Sequence, residues 1–273
     1  MPLAHLLPGN APGGCSDAEN RGGNGDLDAE IEVLTEIDIA RLTAPPFVQH
    51  QCGLDRTMQE LRSRICFVTP DPHPSGMRAV DLARRAVTGG AGMVLYRGIG
   101  LTARAMIEEA TAILQFARPV GVPLIIEGRV DVALAVGADG AHLGAGDLPV
   151  ATARRLMGPR AIVGVAVASQ GDTRIAERDV ATYVSIGPLF DADCQPGQSR
   201  DGMASCAVLR RATSLPICAS GGINAQNITS LASDPPDLLG VGTAICAAPD
   251  AAAATRELLA LIERHWHIRR PPP

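Results

Sequence analysis

Lysine is absent from this chain of 273 residues; all 24 basic side chains counted as Lys or Arg are arginine. That absence excludes Schiff-base chemistry, a P-loop ammonium and a lysine general base, and leaves phosphate charge to be met by Arg, helix dipoles or backbone donors. Aromatic residues are scarce, at 3% against 46% hydrophobic, so Val, Ile, Leu and Ala must fill the core. These residues suit a parallel sheet buried on both faces. No run approaches the roughly 18 uninterrupted apolar residues of a membrane span. Residues 1–14 lack the basic start and long apolar stretch of a signal peptide, so the chain reads as soluble and cytoplasmic. The seven cysteines include no C-x-x-C pair, which argues against a disulfide framework and a zinc knuckle. Cys194 stands apart from the rest because it lies in the polar stretch Asp191-Ala192-Asp193-Cys194-Gln195, although a surface thiol without a role is its plainer reading. With a net charge of −5, nothing suggests a nucleic-acid surface.

Charge is unevenly spread. Residues 1–60 carry a net −7 and the remainder +2, which marks a boundary. Residues 8–26 have the Pro, Gly, Asn and Ser content of a disordered tail. Ile31, Leu34, Ile37 and Leu42 then recur at near-helical spacing among acids, which predicts one amphipathic helix over 26–42. The expected organisation is an acidic, partly disordered extension over 1–60, a barrel over 61–268 and a tail over 269–273.

Strand and helix periods alternate through the middle of the chain. Apolar strands are expected at 65–69, 93–97, 123–126, 140–143, 161–167, 183–186, 217–219 and 238–241, with helices at 77–86, 103–116, 149–156, 204–212 and 251–265 among those between them. Regular β-α alternation implies a parallel sheet, and eight units imply one that closes: an α/β fold of the TIM (β/α)₈ type. About 250 residues suffice for such a barrel.

The most informative run is Leu215-Pro216-Ile217-Cys218-Ala219-Ser220-Gly221-Gly222-Ile223-Asn224, which reads as the seventh strand stopping in two glycines and handing over to a helix. Bare amides there can approach an anion. Phosphate sites of such barrels are commonly built from the loops after strands seven and eight, so Gly221, Gly222 and Thr243 are the candidate phosphate ligands.

The other strand tips supply a ring of side chains around one mouth. Arg97 can clamp an anion bidentately, though a rim arginine also serves as a plain ion-pair partner. Glu127 and His142 are candidate acid/base groups, with a satisfied structural histidine the simpler reading of His142. Asp147 is a candidate metal ligand or a helix cap; one carboxylate makes a poor magnesium site without ligand phosphates. Gly187 and Cys194 after strand six complete the candidate substrate contacts.

Several of these stretches, in order, resemble the thiamine phosphate synthase/TenI family. They are Gly137-Ala138-Asp139-Gly140-Ala141-His142-Leu143-Gly144 with Asp147-Leu148-Pro149, Ile162-Val163-Gly164-Val165, Ile186-Gly187-Pro188-Leu189-Phe190, Ala219-Ser220-Gly221-Gly222-Ile223 and Gly242-Thr243-Ala244-Ile245. The resemblance covers about residues 62–265 and implies a TIM barrel and a ligand of the thiazole-phosphate type, held at Gly221, Gly222 and Thr243. For the synthases it implies Mg²⁺ and positive side chains on a leaving pyrophosphate.

Departures fall on that machinery. The family's Gln-x-Arg-x-Lys is Leu95-Tyr96-Arg97-Gly98-Ile99 here, its Asn-Asp pair is Glu127-Gly128, its serine after strand five is Ala166, and its Thr-x-Thr-Lys is Ala192-Asp193-Cys194-Gln195. The TenI branch, which tautomerises a thiazole carboxylate phosphate, needs neither metal nor pyrophosphate grip, and its Asp-Cys pair is similar to Asp193-Cys194; the histidine it uses as proton shuttle is Pro188 here. The sequence therefore predicts a phosphorylated small-molecule ligand in thiamine metabolism and TenI-like proton transfer by Glu127 or His142. The alternatives are a synthase with a depleted site, for which alone Mg²⁺ would be needed, and a non-catalytic sensor. A homo-oligomer is compatible with the sequence.

Overall fold

The computed structural model describes residues 61, 63–69, 76–190 and 202–266. The predicted acidic extension over 1–60, its helix and the tail over 269–273 lie outside the described residues, as does Cys194.

Eight strands are present: β1 (Ile65–Val68), β2 (Met93–Tyr96), β3 (Leu124–Glu127), β4 (Gly140–Leu143), β5 (Ile162–Ala166), β6 (Tyr183–Ile186), β7 (Ile217–Ser220) and β8 (Leu238–Val241). Each pairs in parallel with the next and β8 closes on β1, giving the TIM barrel. Between them run α1 (Ala79–Thr88), α2 (Ala103–Ala117), α3 (Val130–Val136), α4 (Val150–Met157), α5 (Gln170–Arg178), α6 (Gly202–Arg210), α7 (Thr243–Cys246) and α8 (Ala251–His265). None of the described helices is long and apolar enough to cross a membrane.

Period-two alternation divides each strand between two cores. Outward residues such as Phe67, Val94, Ile126, Val163, Val184 and Leu239 pack under the helices. Inward residues Cys66, Met93, Leu95, Ile125, Ile162, Tyr183, Cys218 and Leu238 fill the barrel itself. With so few aromatics, Tyr183 supplies much of that inner volume, and its ring occupies the place of a missing side chain: a Cβ on Gly164 would lie 2.1 Å from Tyr183 Cζ.

Helix α2 shows why the surrounding elements form. Thr102 caps it by accepting the Ala105 N–H, and Met106, Ala110, Ile113, Leu114 and Ala117 recur on one face and are buried. In α8, Asp250 accepts the N–H groups of Ala252 and Ala253, while Ala251, Thr255, Leu258 and Ile262 are buried against the barrel. That contact is close: a Cβ on Gly89, at the end of α1, would meet the Ala252 carbonyl at 2.5 Å.

One expectation is corrected. Strand β7 does not hand over directly to a helix; the chain turns at Gly221 and Gly222 and reaches only a 3₁₀ segment, Ile228–Ser233. Asparagine side chains cause the difference. Asn227 Oδ1 accepts the Asn224 N–H at 2.9 Å and Asn224 Oδ1 accepts the Gln226 N–H at 2.9 Å, a local alternative to helical bonding.

Candidate functional site

The C-terminal tips of parallel strands share one end of the barrel, so the polar groups at those tips face one mouth. Thr69 follows β1, and its hydroxyl accepts the Arg97 N–H at 2.8 Å, seating the backbone from which Arg97 projects. The Arg97 Nε–H donates to the Glu127 carboxylate at the end of β3. Arg129, just past β3, is instead turned onto Asp131, bonding it through Nε at 2.8 Å and Nη2 at 2.6 Å.

Asp147 reaches back over the start of the next turn. Its Oδ2 accepts the Gly144 N–H at 2.7 Å, and α4 begins after Pro149 without a side-chain cap, so Asp147 closes a turn and does not cap the helix. It lies against Gly128, where a Cβ would sit 3.2 Å from Asp147 Oδ1. Position 128 is therefore where a second carboxylate would face Asp147, and glycine leaves Asp147 single. Glu127, beside it, is neutralised by Arg97. Among the described residues no three His, Cys, Asp or Glu side chains gather as a metal site, and Asp147 as a single carboxylate is a poor donor set for Mg²⁺ without ligand phosphates.

His142 lies on β4 in register with Glu127 on β3 and with Gly164 on β5. It is buried, with Nδ1 3.0 Å from the Tyr183 hydroxyl and Nε2 3.1 Å from Ser185 Oγ, and its ring stacks on Tyr183 at 5.5 Å between centroids. Burial pushes its pKa down to about 4; Asp147 opposes that shift and Arg97 adds to it. The imidazole is thus neutral at physiological pH. Burial likewise holds the Tyr183 phenol well above its ordinary range. Tyr183 and Ser185 were not singled out in the sequence; their alternation on β6 is the signal that both face inward.

Past β6 the chain passes through a cis Gly187–Pro188 peptide bond and lies against the loop after β7. The Leu189 N–H donates to the Ser220 carbonyl at 2.9 Å, and the Phe190 N–H to the Gly221 carbonyl at 3.2 Å. Both glycines have left-handed backbones, at φ +90° and +68°. A Cβ on Gly221 would lie 2.5 Å from Pro188 Cα, and one on Gly222 would lie 2.4 Å from the Phe190 carbonyl. Close packing of the two loops therefore requires the glycine pair.

That packing also orients amides. Asn227 Nδ2 donates to the Gly222 carbonyl at 2.8 Å, so the carbonyls of Gly221 and Gly222 are both engaged. Within a trans peptide the N–H points opposite to its C=O, so the amides of Gly222 and Ile223 are directed away from these partners. Among the described residues neither donates to a protein acceptor. Thr243, exposed at the first position of α7, follows β8 on the same end of the barrel.

A fold of this kind, with its polar ring and glycine turn, invites comparison with known barrels. A family model described as thiamine monophosphate synthase matches residues 65–245. The chain belongs to the thiamine phosphate synthase/TenI family. Thiamine-phosphate synthase of Chloroflexus aurantiacus is 42% identical over 200 residues, covering 73% of this chain and 92% of that protein. The Roseiflexus castenholzii thiamine-phosphate synthase is 40% identical over 196 residues, 71% of this chain and 86% of its own length. Among solved structures, a thiamine phosphate pyrophosphorylase from Pyrococcus furiosus superposes with a TM-score of 0.67 at 29% identity, covering 75% of this chain and 97% of that one. A 3-hexulose-6-phosphate synthase from Salmonella typhimurium, at 16% identity and a TM-score of 0.58, shares the fold alone. Family membership places the chain in thiamine metabolism.

Proposed function

We propose that this member of the family binds a thiazole-phosphate-type ligand and moves a proton on it, without displacing pyrophosphate. The observation that carries the reading is the turn after β7. The amides of Gly222 and Ile223, freed because the carbonyls of Gly221 and Gly222 are engaged elsewhere, form a concentrated donor site of the kind that takes a phosphoryl group, with Gly221 setting the turn and Thr243 adding a hydroxyl.

For proton transfer the site offers Glu127. Its ion pair with Arg97 aims the carboxylate, while His142 is neutral with both ring nitrogens engaged. In a tautomerisation the carboxylate takes a proton from one position of the bound heterocycle and returns it to another, leaving Glu127 unchanged.

A second reading, condensation of a pyrimidine pyrophosphate with thiazole phosphate, is favoured by the names of the relatives at 40–42% identity. Gly128 in place of a carboxylate, and the absence of lysine, count against it. Titration calorimetry of the purified chain with thiazole phosphate tests the binding reading, and saturable binding is expected. Solvent-deuterium exchange into bound thiazole carboxylate phosphate then separates proton transfer from mere binding. Turnover of both phosphorylated substrates with Mg²⁺ would establish the second reading instead.

A further inference from the structure

The hydrogen bonds inside the barrel form a directed chain whose outer end is Ser185. Tyr183 is 1% exposed, and among the described residues its hydroxyl has one hydrogen-bond partner, His142 Nδ1. A phenol hydrogen buried without an acceptor carries the full cost of its lost hydration, so the phenol donates and Nδ1 accepts. A neutral imidazole carries one N–H, so that hydrogen is on Nε2 and donates to Ser185 Oγ at 3.1 Å. Ser185 Oγ, already accepting, keeps its own hydrogen, for which no acceptor is present among the described residues. Ser185 lies one inward position beyond Tyr183 on β6, nearer the mouth, and is only partly buried.

We infer that Tyr183 and His142 are positioning residues that fix Ser185 as a hydrogen-bond donor to the ligand, selecting a ligand with an acceptor atom, such as a ring nitrogen or carboxylate oxygen, at that depth of the barrel. This specificity role rests on the ligand reading above; the tautomer it requires does not. The order of donation is set by satisfaction of buried groups: reversing it would strand the phenol hydrogen in the apolar interior beside Cys66 and Cys218. Gly164 belongs to the device, because only a residue without Cβ leaves room for the Tyr183 ring that carries the hydroxyl.

Two measurements on the full chain decide it. In ¹⁵N NMR of the imidazole at neutral pH, His142 should show an unprotonated Nδ1 and a protonated Nε2. Tyr183→Phe should mix the tautomers, which loss of packing alone would not do. An Nδ1–H tautomer or an imidazolium in the wild-type chain overturns the proposal whatever the ligand. By calorimetry, Ser185→Ala should weaken thiazole phosphate or its carboxylate by about five- to tenfold, the value of one hydrogen bond. Ser185→Thr, which retains the hydroxyl, should lose less. Equal affinities of wild type and Ser185→Ala for both compounds refute the donor role. If wild type binds neither compound, the ligand reading fails, and the ring-nitrogen shifts still decide the relay.

Discussion

Arg97, just past the end of β2, and Glu127, the last residue of the neighbouring β3, are joined by an ion pair at the barrel mouth, with both side chains about one-third exposed at 36% and 29%. Neither is free to act alone. An arginine that would otherwise grip an anion orients the carboxylate, and a carboxylate that would otherwise help to hold a metal is neutralised by the arginine.

Replacing Glu127 with Gln keeps the shape and removes the proposed base. Proton exchange on bound thiazole carboxylate phosphate should fall by about 10²–10⁴-fold while its binding constant changes little. An equal fall in binding would instead place Glu127 in ligand recognition. NMR of the exchanging position, read beside calorimetry, separates the two.

Burial of His142 ties stability to pH. Its pKa is about 4 in the fold against 6.5 ordinarily, so above 6.5 neither state is protonated and the residue adds no pH dependence. As pH falls below 6.5 the unfolded chain takes up a proton that the native state refuses, and stability is lost down to about pH 4, up to about 3 kcal/mol in all. Denaturation by urea at pH 7 and at pH 4.5 should show this loss in wild type. The loss should be smaller in His142→Asn, which cannot titrate.

At Gly128 one substitution rebuilds half of a metal site. With a Cβ 3.2 Å from Asp147 Oδ1, Gly128→Asp brings a second carboxylate beside the first, and at φ +71° aspartate is among the better tolerated residues. Calorimetry should show Mg²⁺ binding strengthened about tenfold over wild type. Coupling of the two phosphorylated substrates should not return with it, since no lysine is restored.

Thr243 is exposed, so its replacement tests phosphate recognition without disturbing the core. Thr243→Val should leave the melting temperature unchanged. Affinity for thiazole phosphate should drop about tenfold, as expected for a hydrogen bond to a charged group.

Val180 has a left-handed backbone at φ 62° and is 61% exposed, while Arg154 holds its carbonyl through Nε at 3.0 Å and Nη2 at 2.9 Å. A β-branched residue pays for that conformation and makes little packing contact in return. Val180→Gly should stabilise the fold by about 0.5–1 kcal/mol, after allowing for the greater freedom of glycine when unfolded. A raised melting temperature in calorimetry would show it.

Much of the barrel was legible along the chain because strand and helix periods are local. Four-residue apolar runs such as Gly140–Leu143, Tyr183–Ile186 and Leu238–Val241 appear as strands within the limits expected from their side chains. The helix Ala251–His265 likewise follows from its apolar spacing after Asp250. The turn after β7 was less legible. Two glycines read as a helix start, whereas Asn224 and Asn227 captured the local amides and carbonyls first.

What the sequence by itself determined is the alternation of elements, the closed parallel sheet that follows from it, the family and the residues at the strand tips, since each depends on neighbours within a few positions. Only the tertiary structure decided that Arg97 is bound to Glu127, that Asp147 faces a glycine, and that His142 sits neutral between Tyr183 and Ser185. Those relations depend on which residues stand level on adjacent strands and how deeply water is excluded between them, and barrel closure sets both.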